Sequence, residues 1–162
     1  EPCIRRLKES GLVEPVRAFA ATGRPFFGIC VGMQLFFHYS LQFRRHEGLG
    51  LIDGHVAPIP SWAGEDQRKV PHIGWNPLLV PPERDSWTGT VLDGLEPGRS
   101  SAYFVHSYSA IPAAASDSLA LVNYAGYMIC AAVERDNIVG AQFHPEKSGD
   151  VGLAILASFL AR

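Results

Sequence analysis

Cysteine, net charge and long apolar runs are all scarce in this sequence. The three cysteines among its 162 residues stand unevenly spaced at positions 3, 30 and 130. They do not form the framework of a disulfide-rich domain, which favours a reducing compartment. Neither a CxxC motif nor a paired-histidine spacing occurs, so we expect no metal site and no cofactor.

The low net charge and the short apolar runs argue against a nucleic-acid-binding protein and against a membrane-spanning one. A formal net charge of −2 gives no electrostatic case for binding nucleic acid or an anionic membrane. No apolar run approaches the ~20 residues that span a bilayer, and no signal peptide precedes the first predicted element. We therefore expect a cytoplasmic protein. Its 47% hydrophobic and 19% charged residues are typical of one globular domain over residues 1–162.

The order of the predicted elements is that of an α/β domain. Two short helices, over residues 3–10 and from Glu14 to Gly23, precede a strand–turn–helix segment at 25–39. Prolines and turn signals divide residues 51–101 into short strands and loops. Asp150 is expected to cap a final amphipathic helix. Before it come four predicted strands, at 102–108, 119–124, 128–133 and 138–143.

The strand–turn–helix segment carries a Gly-x-Cys-x-Gly pattern at Gly28–Gly32. At a sharp strand-to-helix turn the central residue has a strained backbone, and glycines suit flanking positions that cannot accept a Cβ. Such an elbow would lift the Cys30 thiol above the sheet, to a helix N-terminus whose dipole favours a thiolate. Cys30 is therefore a candidate nucleophile. The alternative is a small buried cysteine between helix-packing glycines.

A cysteine nucleophile needs a base and a group that orients the base. Among the six histidines, His144 follows a predicted strand, and a single proline separates it from Glu146. Residues i and i+2 of an extended segment point the same way. Glu146 can therefore bond one imidazole nitrogen of His144 and leave the other for the sulfur.

The other histidines and the last cysteine have less specific interpretations. His106 lies in a predicted strand, where a half-buried structural role and a role in a pocket both stay open. His72 lies in a constrained turn that is expected to present a surface, with packing onto the body as the alternative. We interpret His38 and His46 as solvated residues and Cys130 as part of the core.

Five motifs, taken together, resemble a known family. Gly28–Gln34 and Gln142–Glu146 are similar to the two signatures of the class I (triad) glutamine amidotransferases. Val70–Asn76, Tyr103–Tyr108 and Lys147–Gly149 narrow the resemblance to the glutaminase subunits of imidazole glycerol phosphate synthase. It runs along essentially the whole chain. The implied fold is a flavodoxin-like α/β domain, with a mixed sheet and helices on both faces.

The resemblance also implies an activity and a partner. L-Glutamine would be hydrolysed through a γ-glutamyl thioester on Cys30, with His144 transferring the proton and Glu146 orienting His144. The ammonia would pass to a (β/α)8-barrel cyclase subunit, the partner in a heterodimer. That subunit converts PRFAR to imidazole glycerol phosphate and AICAR in histidine biosynthesis. The residues implied to bind glutamine are Gln34, Gln42, Ser107 and Tyr108. The residues implied to face the cyclase are Trp75, Tyr103 and Lys147.

The chain departs from the family pattern in two ways. The family's first β–α–β unit, which carries the oxyanion loop, is expected before Glu1, and losing one oxyanion donor typically costs about 10²–10³ in rate. Gln42 stands where the family usually has a glutamate for the substrate's α-ammonium, so we expect weaker glutamine binding. Two alternatives follow. One is another class I amidotransferase, such as the glutaminase of pyridoxal phosphate synthesis, and the other is a truncated or divergent interaction subunit without turnover.

Overall fold

The computed structural model describes residues 2–63 and 66–162. Within these ranges the α-helices are α1 (Pro2–Glu9), α2 (Val13–Ala20), α3 (Val31–Leu35) and α4 (Gly149–Leu160). The strands are β1 (Phe26–Ile29), β2 (Phe37–Ser40), β3 (His46–Glu47), β4 (Ile52–Pro58), β5 (Trp62–Ala63), β6 (Asp66–Gln67), β7 (His72–Pro77), β8 (Ser101–His106), β9 (Tyr108–Pro112), β10 (Ser118–Tyr124), β11 (Tyr127–Arg135) and β12 (Ile138–Ala141). No helix in the described ranges is long and apolar enough to cross a membrane.

A mixed sheet with the strand order β1-β12-β11-β10 positions the site. β1 and β12 are parallel, with Phe26 opposite Ile138 and Ile29 opposite Ala141. The other two pairings in this sheet are antiparallel. Because neighbouring parallel strands end at the same edge, the segments that follow Ile29 and Ala141 lie side by side. In α/β sheets this carboxyl edge is where ligands bind.

Helices cover both faces of this sheet, as the expected fold requires. Successive strand residues point to opposite faces, and β1 shows this directly. The ring of Phe27 packs against Phe159 of α4, with centroids 5.0 Å apart. The ring of Phe26 packs against Phe36, which follows α3, with centroids 5.3 Å apart. The two contacts belong to two separate buried apolar clusters.

Two further strand groups complete the architecture. A second four-stranded sheet has the order β3-β2-β4-β9, and β5 pairs with β6. β7 and β8 form an antiparallel pair that runs from His72 opposite His106 to Pro77 opposite Ser101. The predicted strand at 102–108 is thus two strands, β8 and β9, with Ser107 at the break.

The structure corrects two local predictions. The helix expected through residue 39 ends at Leu35, and the following residues form β2, which pairs with β4. Phe37 is fully buried and His38 is exposed, which is the alternation of a strand. Asp150 is not the cap of the final helix: it lies in the first turn of α4, and Ser148 is the N-cap residue.

Candidate active site

Cys30 occupies a strained elbow between β1 and α3. Its backbone has φ 50° and ψ −106°, a positive φ that non-glycine residues rarely adopt. Its N–H donates to the carbonyl of Ala141 at 2.6 Å, and its own carbonyl accepts from the N–H of Gln34 at 3.1 Å. The sequence pattern predicted this elbow, and these two hydrogen bonds hold the cysteine between β12 and α3.

Of the two glycines that flank Cys30, only Gly28 is required by close packing. A Cβ on Gly28 would lie 2.4 Å from the ring of Phe36 and 2.8 Å from the backbone of Gly32. A Cβ on Gly32 would meet no described atom within 4 Å. The expectation that neither flanking position accepts a Cβ is therefore wrong for Gly32.

The surroundings of Cys30 raise the pKa of its thiol, which corrects the expectation of a thiolate favoured by the helix terminus. Burial is the largest cause, because desolvation disfavours the charged form. The backbone N–H of Val31 lowers the pKa, the negative charge of Glu146 raises it, and the amide of Gln142 lowers it. The hydrogen bonds from Val31 and Gln142 do not offset the effect of burial.

His144 and Glu146 form the second half of the predicted triad. Nδ1 of His144 lies 2.7 Å from Oε1 of Glu146. Burial alone would raise the pKa of Glu146. Four smaller effects act in the opposite direction: the hydrogen bond from His144, a bond from the backbone N–H of Glu146, and the positive charges of His144 and Lys147. Together they outweigh burial, so the pKa of Glu146 is lowered. Glu146 is therefore a carboxylate that can orient the imidazole and stabilise its charged form.

The turn that carries His144 is bonded to β8. The N–H of His144 donates to the carbonyl of Tyr103 at 2.9 Å. The hydroxyl of Ser148 donates to the carbonyl of His144 at 2.7 Å and accepts from the N–H of Tyr103 at 3.0 Å. Ser148 is buried, and a Cβ on Gly152 would lie 1.9 Å from the carbonyl oxygen of Pro145. Strand β8 and helix α4 thus fix the turn from two sides.

A cleft of about 410 Å³ lies beside Cys30. The four residues implied to bind glutamine line it together with the cysteine: Gln34, Gln42, Ser107 and Tyr108. His144 and Glu146 lie on the neighbouring turn, and among the described residues no hydrogen bond joins either of them to Sγ of Cys30. Catalytic hydrogen bonds of this kind often tighten only when substrate binds.

A glutamine that the sequence analysis did not single out contacts the sulfur. Nε2 of Gln142 lies 3.6 Å from Sγ of Cys30, and Oε1 of Gln142 accepts from Nε2 of Gln34 at 2.9 Å. Gln142 follows the apolar strand β12 and precedes Phe143, so the sequence around it predicts only the end of a strand. Its complete burial, which is unusual for a polar side chain, is visible only in the structure.

His72 and His106 form a buried pair behind the cleft. Nδ1 of His72 lies 3.0 Å from Nε2 of His106, and Nδ1 of His106 lies 2.8 Å from the carbonyl oxygen of Tyr108. Burial lowers the pKa of both, that of His106 to about 4. His106 thus lines the cleft and is also buried. His72 stacks on Tyr124, with centroids 4.0 Å apart, so this histidine packs onto the body of the domain.

The three residues implied to face a partner lie near one another, next to the turn of His144. Trp75 is 55% exposed, and its ring centroid lies 6.0 Å from that of Tyr103. Tyr103 bonds the backbone of His144, and Lys147 on the same turn is exposed. Within the described ranges, no group of three or more histidine, cysteine, aspartate or glutamate side chains is arranged to hold a metal ion.

Comparison with known proteins agrees with this geometry. The family model of class I glutamine amidotransferases matches residues 5–162. Imidazole glycerol phosphate synthase subunit HisH 1 of Legionella pneumophila is 45% identical over 161 residues, which are 99% of this chain and 75% of that protein. Subunit HisH of Geobacter metallireducens is 46% identical over 159 residues, which are 97% of this chain and 72% of that protein.

Solved structures agree on the fold. A crystal structure described as a glutamine amidotransferase superposes with a TM-score of 0.62 at 18% identity, over 94% of this chain and 70% of that one. A glutamine amidotransferase from Thermotoga maritima superposes with a TM-score of 0.53 at 16% identity, over 95% of this chain and 53% of that one. The chain therefore belongs to the class I glutamine amidotransferase family, in the branch that contains the HisH glutaminase subunits of imidazole glycerol phosphate synthase.

Proposed function

We propose that this protein hydrolyses L-glutamine through Cys30, His144 and Glu146 and delivers the ammonia to the cyclase subunit of imidazole glycerol phosphate synthase. The observation that carries the proposal is the strained cysteine elbow at the end of β1, beside the His144–Glu146 turn that follows the parallel strand β12. A nucleophile, a base and a group orienting that base then stand at one edge of the sheet.

The chemistry follows from these positions. Sγ of Cys30 attacks the side-chain carbonyl carbon of glutamine, and His144 passes the thiol proton to the amide nitrogen, which leaves as ammonia. The remaining γ-glutamyl thioester is then attacked by water. His144 accepts the water proton, the C–S bond breaks, glutamate is released, and His144 returns the proton to Sγ of Cys30. Glu146 holds the imidazole by its Nδ1 and stabilises the positive charge that forms on it in each half of the reaction.

The cleft supports glutamine as the substrate. Gln34, Gln42, Ser107 and Tyr108 offer amide, hydroxyl and backbone groups around Cys30, which suits an amino acid with a carboxamide side chain. Gln42 would meet the α-ammonium with a neutral oxygen instead of a carboxylate. The bond is then not assisted by charge, and we expect weaker glutamine binding than a glutamate at this position would give.

An exposed apolar surface supports a partner that receives ammonia. Trp75, Ile73 and Val105 are 55%, 55% and 38% exposed and come from the paired strands β7 and β8. Tyr103 connects this surface to the backbone of His144. A partner seated here would cover the region next to the triad, so that ammonia could leave without passing through bulk water. We propose that this partner is the (β/α)8-barrel cyclase, in a heterodimer.

The experiment compares two nitrogen sources in the complex with the cyclase. Cys30→Ser should abolish formation of imidazole glycerol phosphate from glutamine, because a serine hydroxyl lacks thiolate character at neutral pH. Synthesis from added ammonium salt should continue. The matched control is Cys3→Ser, which changes an exposed cysteine and should leave both activities unchanged. Near-normal glutamine turnover in Cys30→Ser, or no turnover in the parent complex, would overturn the proposal.

A further inference from the structure

The polar side chain that contacts Sγ of Cys30 most directly is that of Gln142. The distance from Nε2 to Sγ is 3.6 Å, which suits a bond to the large sulfur atom. Gln142 is completely buried. Buried polar side chains are nearly always hydrogen-bonded, so the partners of this amide determine what it presents to the sulfur.

The hydrogen bonds determine which end of the Gln142 amide faces Cys30. The carbonyl of Tyr108 can only accept, so Gln34 must present its NH₂ group to it, at 3.0 Å. The same nitrogen lies 2.9 Å from the amide of Gln142, which must therefore present its oxygen to Gln34. The NH₂ group of Gln142 is then the end that faces the sulfur. Reversing either amide would place two donors or two acceptors together.

The carbonyl oxygen of Tyr108, at the far end of this chain of hydrogen bonds, is also held in place. The carbonyl of Tyr108 accepts a second bond, from Nδ1 of His106 at 2.8 Å. His106 is 6% exposed, and burial lowers its pKa to about 4, so it is neutral near pH 7 and carries one N–H. That N–H must be on Nδ1, because the carbonyl only accepts. Gln34 thus anchors Gln142 to an oxygen that is itself held in place.

We propose that Gln142 is a catalytic residue whose amide donates a hydrogen bond to the Cys30 thiolate, and that Gln34 is the positioning residue that keeps this donor aimed at the sulfur. A donor to the charged form favours that form. It counteracts the partial desolvation of Cys30, which is half-buried. The role in turnover rests on the proposed function, whereas the effect on the sulfur can be measured without it.

The test is the pH dependence of Cys30 alkylation by iodoacetamide, followed peptide by peptide with mass spectrometry. Gln142→Met keeps the length of the side chain and removes the donor. The midpoint for Cys30 should move up by about one pH unit, a tenfold slower reaction at a pH below both midpoints. Exposed Cys3 in the same digest is the internal reference, and its midpoint should not change.

Two further variants separate the donor from a purely structural role. At pH values where its carboxyl is ionised, Gln142→Glu keeps an acceptor for Gln34 but has no donor for the sulfur, so the Cys30 midpoint should rise at least as far as in Gln142→Met. Gln34→Met leaves the donor present without its anchor and should give a smaller rise. If Gln142→Met does not fold, Gln34→Met decides, because Gln34 is only half-buried and its replacement buries no new charge; an unchanged Cys30 midpoint in that folded variant would then overturn the inference.

An unchanged Cys30 midpoint in a folded Gln142 variant would overturn the inference. This outcome is independent of the proposed function, which is tested separately by glutamine turnover in the parent complex and in Cys30→Ser.

Discussion

Ser148→Ala should loosen the turn that carries His144 and Glu146 without altering either side chain. The Ser148 hydroxyl joins the carbonyl of His144 to the N–H of Tyr103, at 2.7 and 3.0 Å, and the side chain is buried. Alanine removes both bonds and adds no atom that could clash. The substitution therefore tests whether strand β8 holds the catalytic turn in place.

The size of the effect follows from which groups lose partners. The carbonyl of His144 keeps a bond from the N–H of Lys147 at 2.9 Å. The N–H of Tyr103 loses the hydroxyl, and a buried donor left without a partner costs about 1–3 kcal/mol. We expect the free energy of unfolding to fall by that amount. A displacement of about 1 Å at a catalytic group can cost ~10² in rate, so kcat should fall about ten- to a hundredfold with little change in KM.

The assay combines denaturant unfolding with steady-state glutamate formation in the complex with the cyclase. Ser101→Ala is the matched control, because it also removes a hydroxyl at β8, and among the described residues that hydroxyl makes only a 3.4 Å bond to the carbonyl of Arg99. It should change neither quantity. Parental stability and turnover in Ser148→Ala would refute the reasoning that this hydroxyl positions the turn.

Three further predictions concern the triad, the partner surface and pH. His144→Ala should nearly abolish glutaminase activity, whereas Glu146→Gln should leave a measurable rate because it removes only the group that orients the base. Equal and negligible losses of activity in both variants, in an otherwise active complex, would point to another base. Trp75→Ala and Lys147→Ala should raise the ratio of glutamate formed to imidazole glycerol phosphate formed, while Cys30 stays reactive toward a glutamine analogue. A ratio near one, with unchanged affinity for the cyclase, would show that these side chains only pack the domain. The free energy of unfolding should fall as pH drops from 6.5 to about 4, because the unfolded chain takes up a proton on His106 that the folded chain binds only near pH 4, an effect on the order of 3 kcal/mol. His106→Asn should flatten this slope in urea titrations, and equal slopes in the parent and the variant would contradict a lowered pKa of His106.

The sequence predicted the parts of the site that depend on local backbone chemistry. Gly28 and Cys30 predicted a strained turn because the first position has no room for a Cβ, and the observed φ of 50° at Cys30 agrees. The contact of His144 with Glu146 was predicted correctly, but the extended segment from which it was predicted is wrong, because Pro145–Lys147 forms a turn of 3₁₀-helix. In each case a few neighbouring residues determine the geometry.

The parts that depend on tertiary packing could not be predicted. Phe36 and Phe37 fit the apolar period of a helix, and only the pairing of β2 with β4 makes Phe37 a strand residue. His72 appeared to present a surface because Trp75 lies close in sequence. In the structure both residues lie on β7, but the side chain of His72 is buried and that of Trp75 is half exposed. The bond of Gln142 to Cys30 joins residues 112 positions apart.

The central claim is that Cys30 is the nucleophile that attacks glutamine. A glutamine-analogue electrophile, followed by mass spectrometry of the digested protein, tests this most directly. The account predicts one adduct, on Cys30, that excess glutamine prevents and that forms much more slowly in His144→Ala. Cys3 and Cys130, one exposed and one buried, should stay unmodified. An adduct on Cys3 alone, or equal labelling with and without glutamine, would contradict it.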